Sequence, residues 1–263
     1  MDLGLEGRQA FVSGSTRGIG YAVARRLLVE GAAVTVNGRS RAGVDDAVRR
    51  LRAEVPGARV DGLAADFADP DPVEALLDSL GPVDILVNNV GIFGLEEFAA
   101  VPDDLWRTYF EVNVMSAVRL SRRLIGPMLE RGWGRVVFVN SESGVNVPAD
   151  MVPYGATKAA SLAVANGLAK LTRGTAVTVN TVLGGPTWSD GVAAAVEHVA
   201  GQSGVPVEAM RETIAAGNPT SLLGRFIEPD EIASLVGYLA SPLASATNGA
   251  ALRADGGALT GIL

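Results

Sequence analysis

The chain has no cysteine and a single histidine, His198, among its 263 residues. Disulfides and thiolate chemistry are therefore excluded, as is a His-rich metal centre, and no metal site is expected. No apolar run approaches the roughly 18 residues of a membrane-spanning helix. No basic block occurs either, and the formal net charge is −7. Nucleic acid or an anionic membrane as partner would normally demand a Lys/Arg cluster, so neither is expected. The start "MDLGLEGRQAFVSG" lacks the basic residues and apolar stretch of a secretion signal, and the expected location is the cytoplasm. A small-molecule ligand is the partner left to look for.

What is present is a large supply of core-forming residues, 48% of the chain, enough for one sizeable domain over residues 1–263. Short runs rich in Val, Ile and Ala alternate with longer segments of helical period. The spacing predicts strands at 8–13, 32–37, 59–64, 83–88, 134–140, 176–182 and 250–254. Helices are predicted near 19–30, 42–54, 71–79, 103–130, 152–172 and 229–240. This alternation is the pattern of βαβ units, and the expected fold is α/β: a single-domain Rossmann fold with a doubly wound, seven-stranded parallel sheet and helices on both faces. Residues 184–225 follow neither period clearly apart from a short helical piece, "VAAAVEHVA", and read as a loop or lid over a binding site.

Between the first strand and first helix lies "SGSTRGIG", in which Gly14, Gly18 and Gly20 have the spacing GxxxGxG. Such a turn lets backbone approach a pyrophosphate, and the following helix offers free N–H groups at its positive end. Elsewhere in a chain it would be a plain tight turn; this position points to a dinucleotide. The second strand ends in Asn37, Gly38, Arg39 and Ser40, where an NAD site usually places a carboxylate on the ribose 2′-hydroxyl. With no carboxylate there, and with Arg17 and Arg39 within reach, NADP(H) is expected in preference to NAD(H). In "PYGATK", Tyr154 and Lys158 stand four residues apart and share a helix face. Taken alone, that pair is equally the mark of a solvated lysine beside a half-buried phenol.

Taken together, these motifs resemble those of the short-chain dehydrogenase/reductases, and the resemblance runs from end to end. The family's TGxxxGxG is similar to Ser13–Gly20, which would bind cofactor through Gly14, Ser15, Thr16, Arg17, Gly18, Ile19 and Gly20. Its NNAG resembles Asn88, Asn89, Val90 and Gly91, and its adenine-contacting Asp resembles Asp66, beside Phe67, in "AADF". The resemblance further implies an active site of Asn113, Ser141, Tyr154 and Lys158, with Ser143 as the alternative serine. Gly185, Pro186 and Thr187 would lie along the nicotinamide, with Gly184 standing where the family has Pro. A homotetramer or homodimer is implied as well.

Chemically, a carbonyl reductase moves a proton at oxygen while hydride moves at carbon. A free phenol of pKa about 10 is a poor base, and an ammonium one turn away stabilises the phenolate. Tyr154 is thus the expected acid/base, Lys158 its support and ribose ligand, Ser141 the holder of the substrate oxygen, and Asn113 the link to a proton relay. The expected function is an NADP(H)-dependent oxidoreductase acting on a carbonyl or secondary alcohol, with 3-oxoacyl thioesters as one candidate class. A catalytically silent nucleotide sensor and a non-redox member of the fold are the alternatives, but the former would be expected to have lost Tyr or Lys. His198 matches no motif and is expected to be a surface helix residue. Trp188 either lines a pocket or serves as core.

Overall fold

The computed structural model describes residues 2–262. Seven strands form one parallel sheet: β1 Gln9–Val12, β2 Ala33–Gly38, β3 Val60–Ala64, β4 Ile85–Asn88, β5 Gly134–Ser141, β6 Val177–Gly184 and β7 Ala251–Ala254. Their order is β3-β2-β1-β4-β5-β6-β7. Alternation within each strand feeds two cores. Ala10, Val12, Ile85, Val87, Val137 and Val139 point to one face. Phe11, Leu86, Val136 and Phe138 point to the other. A strand has a side-chain period of two, so an apolar run buries both faces, as a parallel sheet covered by helices requires.

The first face is covered by α1 Gly18–Val29, α2 Arg41–Glu54 and α9 Pro229–Ala240. The second is covered by α3 Pro70–Ser79, α5 Ser116–Arg131 and α6 Val152–Leu171. The segment predicted as one helix over 103–130 is two, α4 Asp103–Phe110 and α5, joined by a π-helical turn at Glu111–Met115. Hydrophobic period alone does not reveal such a turn, because the apolar stripe continues through it. The turn carries Asn113, and π-turns inside helices frequently mark functional positions.

Residues 184–225, without a clear period in the sequence, contain α7 Asp190–Ser203 and α8 Val207–Ala216. Ser189 caps α7 by accepting from Val192 N–H at 3.4 Å. The reversal of strand order lies between β1 and β4, and ligands of such sheets bind beyond the strand ends at that crevice.

Candidate active site and nucleotide crevice

The loop after β1 folds back on itself through struts that face inward. Ser15 Oγ donates to Val12 O at 2.6 Å and accepts from Asn37 N–H at 2.9 Å. Asn37 is buried; its Oδ1 accepts from Gly14 N–H at 3.1 Å and its Nδ2 donates to Leu63 O at 3.1 Å. Asn89 Nδ2 donates to Ser13 O and Gly14 O at 3.1 and 3.0 Å. Gly20 has no room for a side chain: a Cβ would stand 2.4 Å from Gly14 O and 2.5 Å from Asn89 Nδ2. Asn88 points the other way, donating to Ser121 Oγ at 3.1 Å. Thus Ser15, Asn37, Asn88 and Asn89 shape the crevice with their side chains rather than presenting them to it.

Other predicted residues line the outside. Arg17, Arg39, Ser40 and Gly91 are exposed, and Thr16 and Asp66 are half-buried. Ser40 caps α2 by accepting from Gly43 N–H at 3.2 Å. Neither α1 nor α2 has an acidic residue in its first turn, so both positive helix ends face the crevice without a carboxylate of their own. Phe67 is taken up by the core, Ile19 packs against the opposite core, and Val90 is partly buried. Asp66 Oδ1 accepts from Ala68 N–H at 3.0 Å. The narrow backbone turn at the N-terminus of α1 fits the pyrophosphate of a dinucleotide.

Beyond β5 and β6 the reactive groups converge. Ser141 ends β5 close enough to the Tyr154 phenol to oppose the rise in its pKa, and its hydroxyl donates to Glu142 Oε2 at 2.5 Å. The hydroxyl of the other candidate, Ser143, turns instead to Glu142 Oε1 at 3.3 Å. Tyr154 and Lys158 project from α6 as the four-residue spacing requires, with Nζ 5.5 Å from the phenol ring centre. Loss of hydration pushes the Tyr154 phenol up to about 12, with Ser141 opposing and Glu142 adding to the rise. Lys158 is 7% exposed. Burial pulls its ammonium down to about 8 against the upward pull of Glu142. Its one hydrogen-bond partner among the described residues is Val139 O at 3.3 Å.

Asn113 is fully engaged at its side chain. Oδ1 accepts from Ile92 N–H at 2.7 Å, while Nδ2 donates to Ile92 O at 3.0 Å and Thr157 Oγ1 at 2.9 Å. It pins the loop after β4 to α6, directly above the lysine. A side chain at Gly91 would start 3.5 Å from both Asn113 Oδ1 and Lys158 Nζ, so glycine keeps that space open. Asn140 braces the other side, donating to Lys158 O at 3.0 Å and accepting from Ser141 N–H at 2.8 Å.

Gly185 passes so close to the loop after β7 that a Cβ would lie 2.4 Å from Asp255 O, whereas Gly184 meets nothing nearer than 3.4 Å. Pro186 O accepts from Ile227 N–H at 2.8 Å. Thr187 is buried, its hydroxyl donating to Gly185 O at 2.8 Å. Trp188 sits at the root of the 184–225 segment against Phe226, with the Arg211 guanidinium 4.4 Å over its ring. His198 is exposed on α7.

Three residues of this region had no place in the sequence reading. Glu142 accepts from Ser141 Oγ at 2.5 Å; its signal was an acidic residue directly after the strand-end serine. Asp190, opening α7, accepts from Gly18 N–H at 2.6 Å and so joins the 184–225 segment to the glycine loop. Phe93 packs edge-on against Tyr154 with ring centres 6.2 Å apart. A contact between residues 172 positions apart leaves no trace in local sequence.

The sequence profile of the family described as short chain dehydrogenase matches residues 8–200. The chain is 43% identical to the uncharacterized oxidoreductase YvrD of Bacillus subtilis (strain 168), with 98% of each chain covered. It is 35% identical to a putative ketoacyl reductase of Streptomyces coelicolor, over 94% of this chain and 95% of that one. Its fold is similar to that of L-sorbose reductase from Gluconobacter frateurii, solved with NADPH and L-sorbose. That match has a TM-score of 0.94 and 31% identity and covers 100% of both chains.

Proposed function

This chain belongs to the short-chain dehydrogenase/reductase family, and we propose that it is an NADP(H)-dependent reductase of a ketone, with Tyr154 as the proton donor. It is an oxidoreductase acting between CH–OH and carbonyl groups with a nicotinamide nucleotide. The observation that carries the finer reading is the buried Lys158 ammonium beside the Tyr154 phenol, at the carboxyl end of β5 where Ser141 stands. NADPH, when bound, supplies the hydride.

Ser141 and Tyr154 hold the carbonyl oxygen, and Tyr154 transfers its proton to that oxygen as the carbonyl carbon is reduced. Lys158 stabilises the resulting phenolate and meets the nicotinamide ribose. Asn113 acts as a positioning residue, fixing the Ile92 loop over Lys158. The cofactor would run from Arg17, Arg39 and Ser40 at the 2′-phosphate, past Asp66 at the adenine and Gly14–Gly20 at the pyrophosphate, to Gly185–Thr187 at the nicotinamide. The 184–225 segment covers the substrate. A homo-oligomer working in the cytoplasm completes the reading, and light scattering on the purified protein reads the assembly directly.

Two exposed arginines and the absence of a carboxylate at the end of β2 support NADP(H) over NAD(H). Nicotinamide fluorescence titrations of wild type and Arg39→Ala test it. NADPH should bind the wild type at least about tenfold tighter than NADH, about 1.4 kcal/mol, and Arg39→Ala should erase the gap. Equal affinities in the wild type would remove the preference, and binding of neither would remove the reductase reading.

A further inference from the structure

We propose that Glu142 selects the substrate by accepting a hydrogen bond from a hydroxyl on the carbon next to the carbonyl. This rests on the reductase reading above and narrows it to α-hydroxy ketones. The argument starts from Ser141, whose hydroxyl has one proton and two lone pairs. A carboxylate only accepts, so the 2.5 Å contact with Glu142 Oε2 uses the serine proton. Ser143 N–H occupies one lone pair at 3.1 Å. The serine proton is therefore already committed to Glu142 before any substrate arrives.

To donate to a carbonyl oxygen, Ser141 must turn its proton away from Glu142. The carboxylate, half-buried, is then left with the Ser143 hydroxyl at 3.3 Å as its remaining side-chain donor. The carboxylate thereby gives up its short charge-assisted hydrogen bond, and a substrate that brings its own donor restores it. The geometry suits a hydroxyl one carbon away. The two oxygens of an α-hydroxy ketone are three bonds apart and can lie side by side, as Ser141 Oγ and Glu142 Oε2 do at 2.5 Å. Two parallel hydrogen bonds then link substrate and enzyme. On another side of the phenol stands the Phe93 ring, which offers a polar substituent nothing. The Glu142 charge also opposes the loss of the Lys158 proton, so it serves the reacting centre while it reads the substrate.

The test compares hydroxyacetone with methoxyacetone, which shares the electron-withdrawing oxygen but lacks the donor. Hydroxyacetone, NADPH and one proton give propane-1,2-diol and NADP⁺, followed by loss of NADPH absorbance. The wild type should favour hydroxyacetone at least about tenfold in kcat/KM. Glu142→Leu should collapse that ratio towards one, and Glu142→Gln, whose carboxamide oxygen still accepts, should retain part of it. NADPH titration of each variant reports whether the fold and cofactor site are intact. A wild-type ratio near one, or a ratio unchanged in Glu142→Leu, overturns the proposal while leaving the reductase reading in place. Stronger turnover of aminoacetone than of hydroxyacetone overturns it in favour of a cation site. Turnover of neither ketone by a protein that binds NADPH overturns it together with its premise.

Discussion

Two buried cations flank β5, one at each end, and they are built on opposite principles. Arg135, at its start, is 1% exposed. It donates to Ser241 O at 3.1 Å, Gly134 O at 2.9 Å and Ala176 O at 2.8 Å, and its guanidinium lies 4.6 Å over the Trp133 ring. Burial and the neighbouring Arg8 lower it to about 10, so it stays charged at neutral pH. Lys158, near the other end, has three N–H groups and a single long contact to Val139 O at 3.3 Å. A buried charge with its donors satisfied joins elements together. One left short of partners costs stability, and that deficit is what a bound ribose or a phenolate can fill. The carboxyl end of the sheet gives up stability for chemistry; the amino end does the reverse.

The comparison can be broken first at the reacting centre. Tyr154→Phe removes the proposed proton donor and keeps the ring against Phe93, so kcat for reduction of a carbonyl substrate should fall about 10³-fold with little change in melting temperature. Steady-state assays with NADPH and thermal melts read both. Retained activity would dislodge Tyr154 from its role.

At the amino end, Arg135→Met should do the opposite. It removes the guanidinium donors from the carbonyls of Ser241, Gly134 and Ala176, a loss of roughly 2–4 kcal/mol. That corresponds to a fall of roughly 5–15 °C in Tm for a domain of this size. Calorimetry or circular dichroism follows the loss, and protein that remains folded should keep nearly its full kcat.

A smaller effect is expected at the glycine loop. Asp190→Asn keeps an acceptor for Gly18 N–H but removes a negative charge beside the phosphate crevice. NADPH affinity should rise about threefold, and the gain should shrink as salt screens the charge. Weaker binding would mean that Asp190 serves the cofactor by ordering α7 more than it opposes the phosphates by charge.

Much of this was legible in the sequence because it is local or periodic. All seven strands fall where the sequence places them, and the central ones, such as "VVFVN" and "VTVNTV", are apolar runs buried on both faces. The glycine loop and the Tyr154/Lys158 pair are fixed by spacing along single elements. What was not legible depends on distant pairings or on the backbone itself. The π-turn at Asn113 breaks no apolar pattern; of α7 only the piece "VAAAVEHVA" reads as helical, and α8 is hidden by weak amphipathy between Gly and Pro residues. Asn37 reads as a ligand-facing residue at a strand end, yet its amide is consumed by Gly14 and Leu63. Arg135 looks like any strand arginine until the fold brings Ser241 and Ala176 around it. One signal was available and passed over: every other cation in the chain is arginine except Lys158 and the exposed Lys170.

The most direct test is the melting temperature of Lys158→Met against wild type, both without cofactor, at pH 7 and pH 9.5. Burial holds the folded Lys158 at about 8, below its ordinary 10.5. Between those values the unfolded chain binds more protons, so wild-type stability rises relative to the variant as pH climbs through that window. Lys158→Met should therefore melt higher than wild type at pH 7, by roughly 1–3 kcal/mol of stability, with a smaller gap at pH 9.5. A variant that melts several degrees lower at pH 7 would show that Lys158 is a structural cation like Arg135, and would contradict the account.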